Sequence, residues 1–363
     1  MRVLEIIPVL DEGGAERFVA DLCNSLAEHH EVSLMLLYPI YPYGTFCNEL
    51  KGVNVHSLNK HEGFSLKYIW QVFKFIKDNK PDIVHSHLNS IVYLIFSAIF
   101  YRKAKYIHTV HNDAEKEAGS YLNLLVRKFL FRSNLVTPVT ISKASNESFY
   151  SVYNMKAPII HNGCPEYSHG LVQDHMVTEF NALKYNQGSK LIVNVARISE
   201  QKNQLTLIKA INELNQEGYK IELAIIGPCV DDTQRERLNS VLTPQIHLLG
   251  VRDNPRDYMQ IADAFCLSST YEGMPITLIE AFSVGALPLC TPVGGIVNMI
   301  QDGYNGLLFT GSDKSSIKIG LKRYLKLTES QIYNIKIHSK LSYSKYTITE
   351  SRKQYECLMH ELR

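Results

Sequence analysis

Several common features are missing from this 363-residue chain, and each absence removes a class of protein. No apolar run approaches the roughly 20 residues that a helix needs to cross a bilayer. The longest, Ile91 to Tyr101, is about half that length. The first residues, Met1-Arg2-Val3-Leu4-Glu5-Ile6-Ile7-Pro8, carry Glu5 and Pro8 where a secretory signal is continuously apolar, so a strand is expected there. The dinucleotide fingerprint Gly-x-Gly-x-x-Gly is absent, which disfavours a dehydrogenase. The seven cysteines are scattered, odd in number and never at metal-ligand spacing. That excludes a disulfide framework and suits a reducing cytoplasm. Charge is nearly balanced, with 38 Lys+Arg against 36 Asp+Glu, and no nucleic-acid-binding motif is present, so no nucleic acid partner is expected.

What the chain does have is an alternation of short β-branched runs with amphipathic segments. Strands are predicted at Val3–Ile7, Val32–Leu37, Val53–Ser57, Asp82–His85, Tyr106–Thr109, Leu135–Thr140 and Pro158–Ile160. Helices are predicted at Ala15–His29, Leu66–Asn79, Ser90–Phe100, Tyr121–Phe131 and Lys143–Tyr150. Asn162-Gly163 reads as the turn that ends this unit. After a weakly patterned stretch, strands resume at Leu191–Val195, Glu222–Ile226, Ile246–Leu249, Ala264–Leu267, Leu287–Leu289 and Leu307–Phe309. Such βαβ order implies parallel sheets covered on both faces, hence an α/β protein of two doubly wound domains, 1–165 and 166–344. The tail, 345–363, reads as a helix. Residues 61–160 hold 13 Lys+Arg against 7 Asp+Glu. With the basic, aromatic segments Lys67–Lys77 and Tyr121–Arg132, this surplus suits an anionic membrane surface or a phosphorylated substrate, although the default reading of such segments is a core-packed helix with a solvated face.

The chemistry gathers at strand ends. Glu272 falls on the turn after the strand Ala264–Leu267, and Glu280 lies about two helical turns further on, beyond Pro275. In an open α/β sheet ligands bind at such turns, and carboxylates there accept hydrogen bonds from sugar or ribose hydroxyls. Arg197 and Lys202 follow the strand Leu191–Val195 and precede a helix. They read either as solvated surface cations or as a clamp for a diphosphate. Gly13-Gly14 follows the first strand and opens a helix, where backbone N–H groups can approach a phosphate, or where a left-handed turn is needed. Gly294-Gly295 repeats that scheme. His85 and His87 share one face of a strand, with His108 and His111 near the next. They read as packed cleft residues rather than metal ligands, with His111 the candidate to face a ligand.

Taken with Ile225-Ile226-Gly227, Leu249-Gly250 and Asp302-Gly303-Tyr304-Asn305-Gly306, these motifs resemble the family-four retaining glycosyltransferases of the GT-B fold. The resemblance implies two Rossmann-like domains facing each other across a cleft, with the C-terminal helix crossing back to the first. It implies that Arg197 and Lys202 hold the diphosphate of a nucleotide sugar, with a UDP-sugar expected, and that Glu280 binds the ribose. Glu272 and the backbone of Gly273, Met274, Pro275 and Ile276 meet the donor sugar and phosphate. Gly250 and Val251 lie against the base, Gly13 and Gly14 approach the phosphates, and His111 lines the reacting centre. It implies a transferase without cofactor, acting on a glycan or lipid-linked glycan in cell-surface polysaccharide synthesis. Such an enzyme would be cytoplasmic, with peripheral contact to the inner membrane face. The missing Asp-x-Asp motif agrees with metal independence. Asn298 stands where the family commonly has a glutamate. A nucleotide-sugar epimerase or hydrolase, and a catalytically silent binding protein, are the competing readings.

Overall fold

The computed structural model describes residues 1–363 except 12, 41–45, 62, 64, 168–176, 179, 181, 184–187 and 230. The chain divides into two units, Met1–Pro165 with Tyr346–Arg363, and Glu166–Lys345. Each has its own six-stranded sheet, and every strand pair is parallel.

In the first unit the strands are β1 (Arg2–Ile7), β2 (Glu31–Leu36), β3 (Val53–Ser57), β4 (Ile83–His87), β5 (Lys105–Val110) and β6 (Thr137–Thr140). Their spatial order is β3-β2-β1-β4-β5-β6, so the order reverses between β1 and β4. β4 is buried along its whole length, as expected of a central parallel strand with helices on both faces. The helix predicted from Ser90 to Phe100 is instead a 3-10 segment, Leu88–Leu94, followed by a helix, Ile95–Phe100. Ser90 explains the difference. Its hydroxyl bonds the carbonyls of Ile6 and His87 and receives the His87 N–H, offering the backbone an alternative to a regular helical turn. The strand predicted at Pro158–Ile160 reduces to one bridge, Thr140 to Ile159, because Pro158 has no N–H to give a ladder.

The tail forms a helix, Ile348–Leu362, capped by the Thr347 side chain. The Cys164 N–H donates to the Tyr346 carbonyl and the Ile348 N–H to the Cys164 carbonyl, tying the tail to the first unit. Gly163 is needed here for space rather than for the turn expected of Asn162-Gly163. Its φ is not left-handed, but a Cβ would lie 2.5 Å from the Thr347 oxygen.

The second unit contains β7 (Lys190–Val195), β8 (Ile221–Ile226), β9 (Ile246–Gly250), β10 (Ala264–Leu267), β11 (Pro288–Cys290) and β12 (Leu307–Leu308). They are ordered β12-β11-β10-β7-β8-β9. Here the reversal falls between β10 and β7, and in open α/β sheets ligands bind at the strand ends beside such a switch point. Helices Lys314–Leu325 and Glu329–Ser342, which the sequence pattern does not announce, complete this unit. The second buries only Ile335 and Ser339, too little apolar surface to give a helical period.

Candidate active site

Residues 196–203 leave β7 and residues 268–275 leave β10, so both segments lie at the switch point of the second unit. Reciprocal hydrogen bonds stitch them together. The Thr270 N–H donates to the Gln201 carbonyl at 2.8 Å, and Gln201 Nε2 donates to the Tyr271 carbonyl at 3.1 Å. Ser268 Oγ donates to the Lys202 carbonyl, and Asn203 Nδ2 to the Ser268 carbonyl. On this frame Lys202 Nζ donates to Glu272 Oε1 at 2.6 Å, and Ser269 Oγ donates to the same oxygen at 2.6 Å. The Glu272 side chain is 6% exposed and that of Lys202 is 18% exposed. An ammonium has three donors. Glu272 takes one, and among the described residues no other side chain pairs with Lys202. Arg197 is exposed at the end of β7, with no carboxylate paired to it among the described residues.

The Gly294-Gly295 motif, which read equally as turn or phosphate loop, packs directly on this turn. A Cβ on Gly294 would lie 1.7 Å from the Glu272 carbonyl oxygen, and one on Gly295 would lie 2.0 Å from that of Gly273. The pair buttresses Glu272 from behind. Gly273, Met274, Pro275 and Ile276 are buried at the entry to the helix Ile276–Val284. Glu280 is buried on that helix, its carboxylate 3.6 Å from Arg256 Nε. Arg256 escaped the sequence reading, since nothing but its place beside Pro255 at a helix start sets it apart. Gly250 ends β9 at φ 68° and accepts the Gly227 N–H at 2.9 Å, while Val251 beyond it is exposed.

In the first unit, Gly13 and Gly14 open the helix Gly14–Ala27, and neither has a left-handed φ. The strained-turn reading of this motif therefore does not hold. Gly14 is exposed, and the N-cap residue, Gly13, has no side chain with which to cap the helix. The histidines gather at the C-terminal ends of β4 and β5, and all four are buried. Glu5, which the sequence reading passed over, joins them because β1 pairs with β4 in the register Glu5 to His85. A carboxylate only accepts, so His87 Nε2–H donates to Glu5 Oε2 at 2.8 Å and His85 Nδ1–H to Glu5 Oε1 at 3.2 Å. Burial alone would raise the Glu5 carboxyl, but His85 and His87 together hold it down at about 2. The ligand-type atoms of Glu5, His85 and His87 lie within 4.8 Å of one another. They stand at hydrogen-bond spacing, and each already has a partner in the others.

His111 was expected to face a ligand, yet it is only 6% exposed. Its backbone N–H donates to Glu117 Oε2 at 2.6 Å, and the Asn112 N–H donates to the same oxygen at 3.1 Å. Glu117 is held in turn by Arg127 Nη1 at 2.9 Å, and Arg127 is itself fully buried. Burial opposes ionisation of Glu117, but the His108 hydrogen bond and the Arg127 charge bring its carboxyl to about 2.

Two family models match this chain. The one described as Glycosyltransferase Family 4 covers residues 12–165, and the one described as Glycosyl transferases group 1 covers residues 177–337. The chain belongs to the family-four type of glycosyltransferases. Its two α/β units have the GT-B fold. This glycosyltransferase is similar to two Campylobacter jejuni proteins. One is the GalNAc-alpha-(1->4)-GalNAc-alpha-(1->3)-diNAcBac-PP-undecaprenol alpha-1,4-N-acetyl-D-galactosaminyltransferase, 24% identical over 87% of each chain. The other is the N-acetylgalactosamine-N,N'-diacetylbacillosaminyl-diphospho-undecaprenol 4-alpha-N-acetylgalactosaminyltransferase. It is 28% identical over 87% of this chain and 88% of the relative. Among solved structures, Anabaena Alr3699/HepE in complex with UDP and glucose superposes with a TM-score of 0.83 over all of both chains, at 17% identity.

Proposed function

We propose that this glycosyltransferase moves a sugar, with retention at C1, from a UDP-sugar to a hydroxyl of a lipid-linked glycan during cell-surface polysaccharide synthesis. The observation that carries the reading is the Lys202–Glu272 pair, braced by Ser269 and by Gly294-Gly295 at the switch point of the second sheet. Arg197 and the two remaining Lys202 donors suit the diphosphate. As the bond between C1 and the diphosphate breaks, negative charge grows on the leaving phosphate, and these two cations offset it without a metal ion. The acceptor hydroxyl attacks C1 from the face that the diphosphate leaves, and a phosphate oxygen takes the hydroxyl proton. Glu280 suits the ribose hydroxyls, Gly250 and Val251 the base, and Gly13 and Gly14 the phosphates. Glu272 positions Lys202 and the donor sugar. The names of the relatives, which act on undecaprenol-linked glycans, support the acceptor class, and the UDP complex of the Anabaena protein supports the donor.

Incubation of the purified protein with a panel of UDP-sugars and an undecaprenyl-diphosphate glycan, with products read by mass spectrometry, tests this reading. Transfer that survives chelator and stops in Lys202→Ala is expected. Donor consumption that ignores the acceptor would point instead to an epimerase or hydrolase.

Membrane contact is proposed on the helix Tyr121–Arg132. It exposes Tyr121 (75%), Leu122, Leu125 and Phe129 beside Lys128 and Arg132. No helix among the described residues is long and apolar enough to cross a membrane. Flotation with anionic vesicles, weakened by Leu125→Asp with Phe129→Asp, is the expected result. Flotation unchanged by that pair, or none in the wild type, removes this surface.

A further inference from the structure

The first unit contains a buried chain of polar groups that ends on His111. Glu5 is ionised and accepts only, so His87 must present Nε2–H to it at 2.8 Å. Both atoms are fully buried, so no water competes for either. Burial, reinforced by the neighbouring His85 ring, pushes the His87 ring down to about 4, so near neutral pH it carries a single proton. With that proton on Nε2, His87 Nδ1 is a bare lone pair. It lies 2.9 Å from His111 Nε2, which therefore has to donate. His111, pushed well below its usual range by burial and then by His87, also carries one proton. Its Nδ1 is left as a bare acceptor. That atom is buried and, among the described residues, has no hydrogen-bond partner.

The opposite arrangement is excluded by charge. A proton on His111 Nδ1 would leave Nε2 bare, facing a second lone pair on His87. Reversing His87 as well would set its bare Nε2 against the Glu5 carboxylate at 2.8 Å. Only the carboxylate fixes the sense of the chain, since an imidazole pair alone runs either way. Meanwhile Glu117 grips the His111 backbone, and Phe18 stands edge-on to the ring at a centroid distance of 6.0 Å. The ring is thus held in place by one set of groups, and its proton is assigned by another.

We propose that Glu5 and His87 are positioning residues that lock His111 in the Nε2–H form, keeping Nδ1 as a hydrogen-bond acceptor for a substrate hydroxyl. This rests on the proposed transfer reaction for its functional half only. A hydroxyl delivered to Nδ1 would satisfy an acceptor that the fold leaves unmatched, which buried polar atoms rarely are. No proton need be transferred to His111, and the phosphate remains the proton acceptor.

The test has a spectroscopic half and a kinetic half. Long-range proton–nitrogen spectra of protein labelled at histidine, with His111 assigned through His111→Phe, report which ring nitrogen is protonated. A single species with the proton on Nε2 is expected for the wild type. Protonation on Nδ1, or a doubly protonated ring at neutral pH, overturns the proposal whether or not any variant folds. Glu5→Leu, which offers neither donor nor acceptor, is expected to mix the two His111 forms. It should lower kcat at least tenfold with the donor KM within about threefold. His87→Phe, which removes the acceptor for His111 directly, serves the same purpose if Glu5→Leu does not fold. Tyr355→Phe disturbs the other end of the buried cluster, where the Tyr355 and Thr109 hydroxyls lie 2.7 Å apart and Thr109 meets His85. It should leave both the spectrum and kcat unchanged. A kcat loss in Tyr355→Phe equal to that in Glu5→Leu would show that any damage to the cluster suffices, and would overturn the relay. A wild type with the expected spectrum but no transfer activity would sink the functional reading alone.

Discussion

Lys202→Met separates what the Lys202–Glu272 pair does for the fold from what it does for the reaction. At 2.6 Å and an effective dielectric of about 20, the gross attraction is about 6 kcal/mol. Most of this is offset by the desolvation of both groups, and Lys202, at 18% exposure, keeps some hydration. A net coupling of about 2 kcal/mol is therefore expected. In Lys202→Met the Glu272 carboxylate stays buried without a counter-charge, with the Ser269 hydroxyl its one side-chain donor among the described residues, so destabilisation of about 2–3 kcal/mol follows. In Glu272→Gln with Lys202→Met the stranded charge is gone, and most of that stability should return. Turnover should not return, because a preorganised contact to the leaving phosphate is worth about 2.7–4 kcal/mol, or 10²–10³ in kcat. Denaturant melts of the wild type, both single variants and the double variant give the coupling, and steady-state transfer assays on the same four proteins give kcat. A coupling under about 0.5 kcal/mol would refute the energetic reasoning. Turnover restored in the double variant would refute the phosphate role.

Gly294→Ala puts a methyl group 1.7 Å from the Glu272 carbonyl oxygen at a residue with φ 51°. Both contact and backbone must move, so a loss of at least about 3 kcal/mol and a marked fall in melting temperature are expected. A melting temperature within a degree or two of the wild type would show that the 272–274 turn does not depend on this buttress. Stability should also fall steadily with acid, in two overlapping windows. His87 and His108 are pushed by burial from 6.5 to about 4, so the unfolded chain binds protons first and stability declines from about pH 6.5 to 4. Glu5 and Glu117 are held at about 2, below their ordinary 4.5, so their contribution is complete above about pH 4.5 and is lost as pH drops towards 2. Denaturation midpoints that stay flat between pH 7 and 4 would contradict the buried, neutral histidines.

The sheet order was legible because each βαβ unit is local, and strand, helix and strand lie within a few tens of residues. Arg197, Lys202 and Glu272 were legible for the same reason, since each follows directly from a strand end. Their partners were not. Lys202 and Glu272 are 70 positions apart, and only the adjacency of β7 and β10 brings their loops together. The Arg256–Glu280 contact lies between two different helices and leaves no spacing to read.

The buried polar cluster is the instructive failure. Period-two spacing put His85 and His87 on one strand face, but it gave no reason for two imidazoles to sit inside a parallel sheet. The reason is Glu5, a charged residue in the middle of a strand whose other buried residues are Val3, Leu4, Ile6 and Ile7. A lone carboxylate buried at that place would be very costly, and a pair of imidazoles would add orphaned donors. Each becomes tolerable only through the other, and the pairing depends on the register of β1 against β4, which no local pattern encodes. An acidic residue inside an apolar strand is thus a usable signal in itself. It demands donors from a neighbouring strand, and where those donors are histidines it also dictates which nitrogen of each ring is left free.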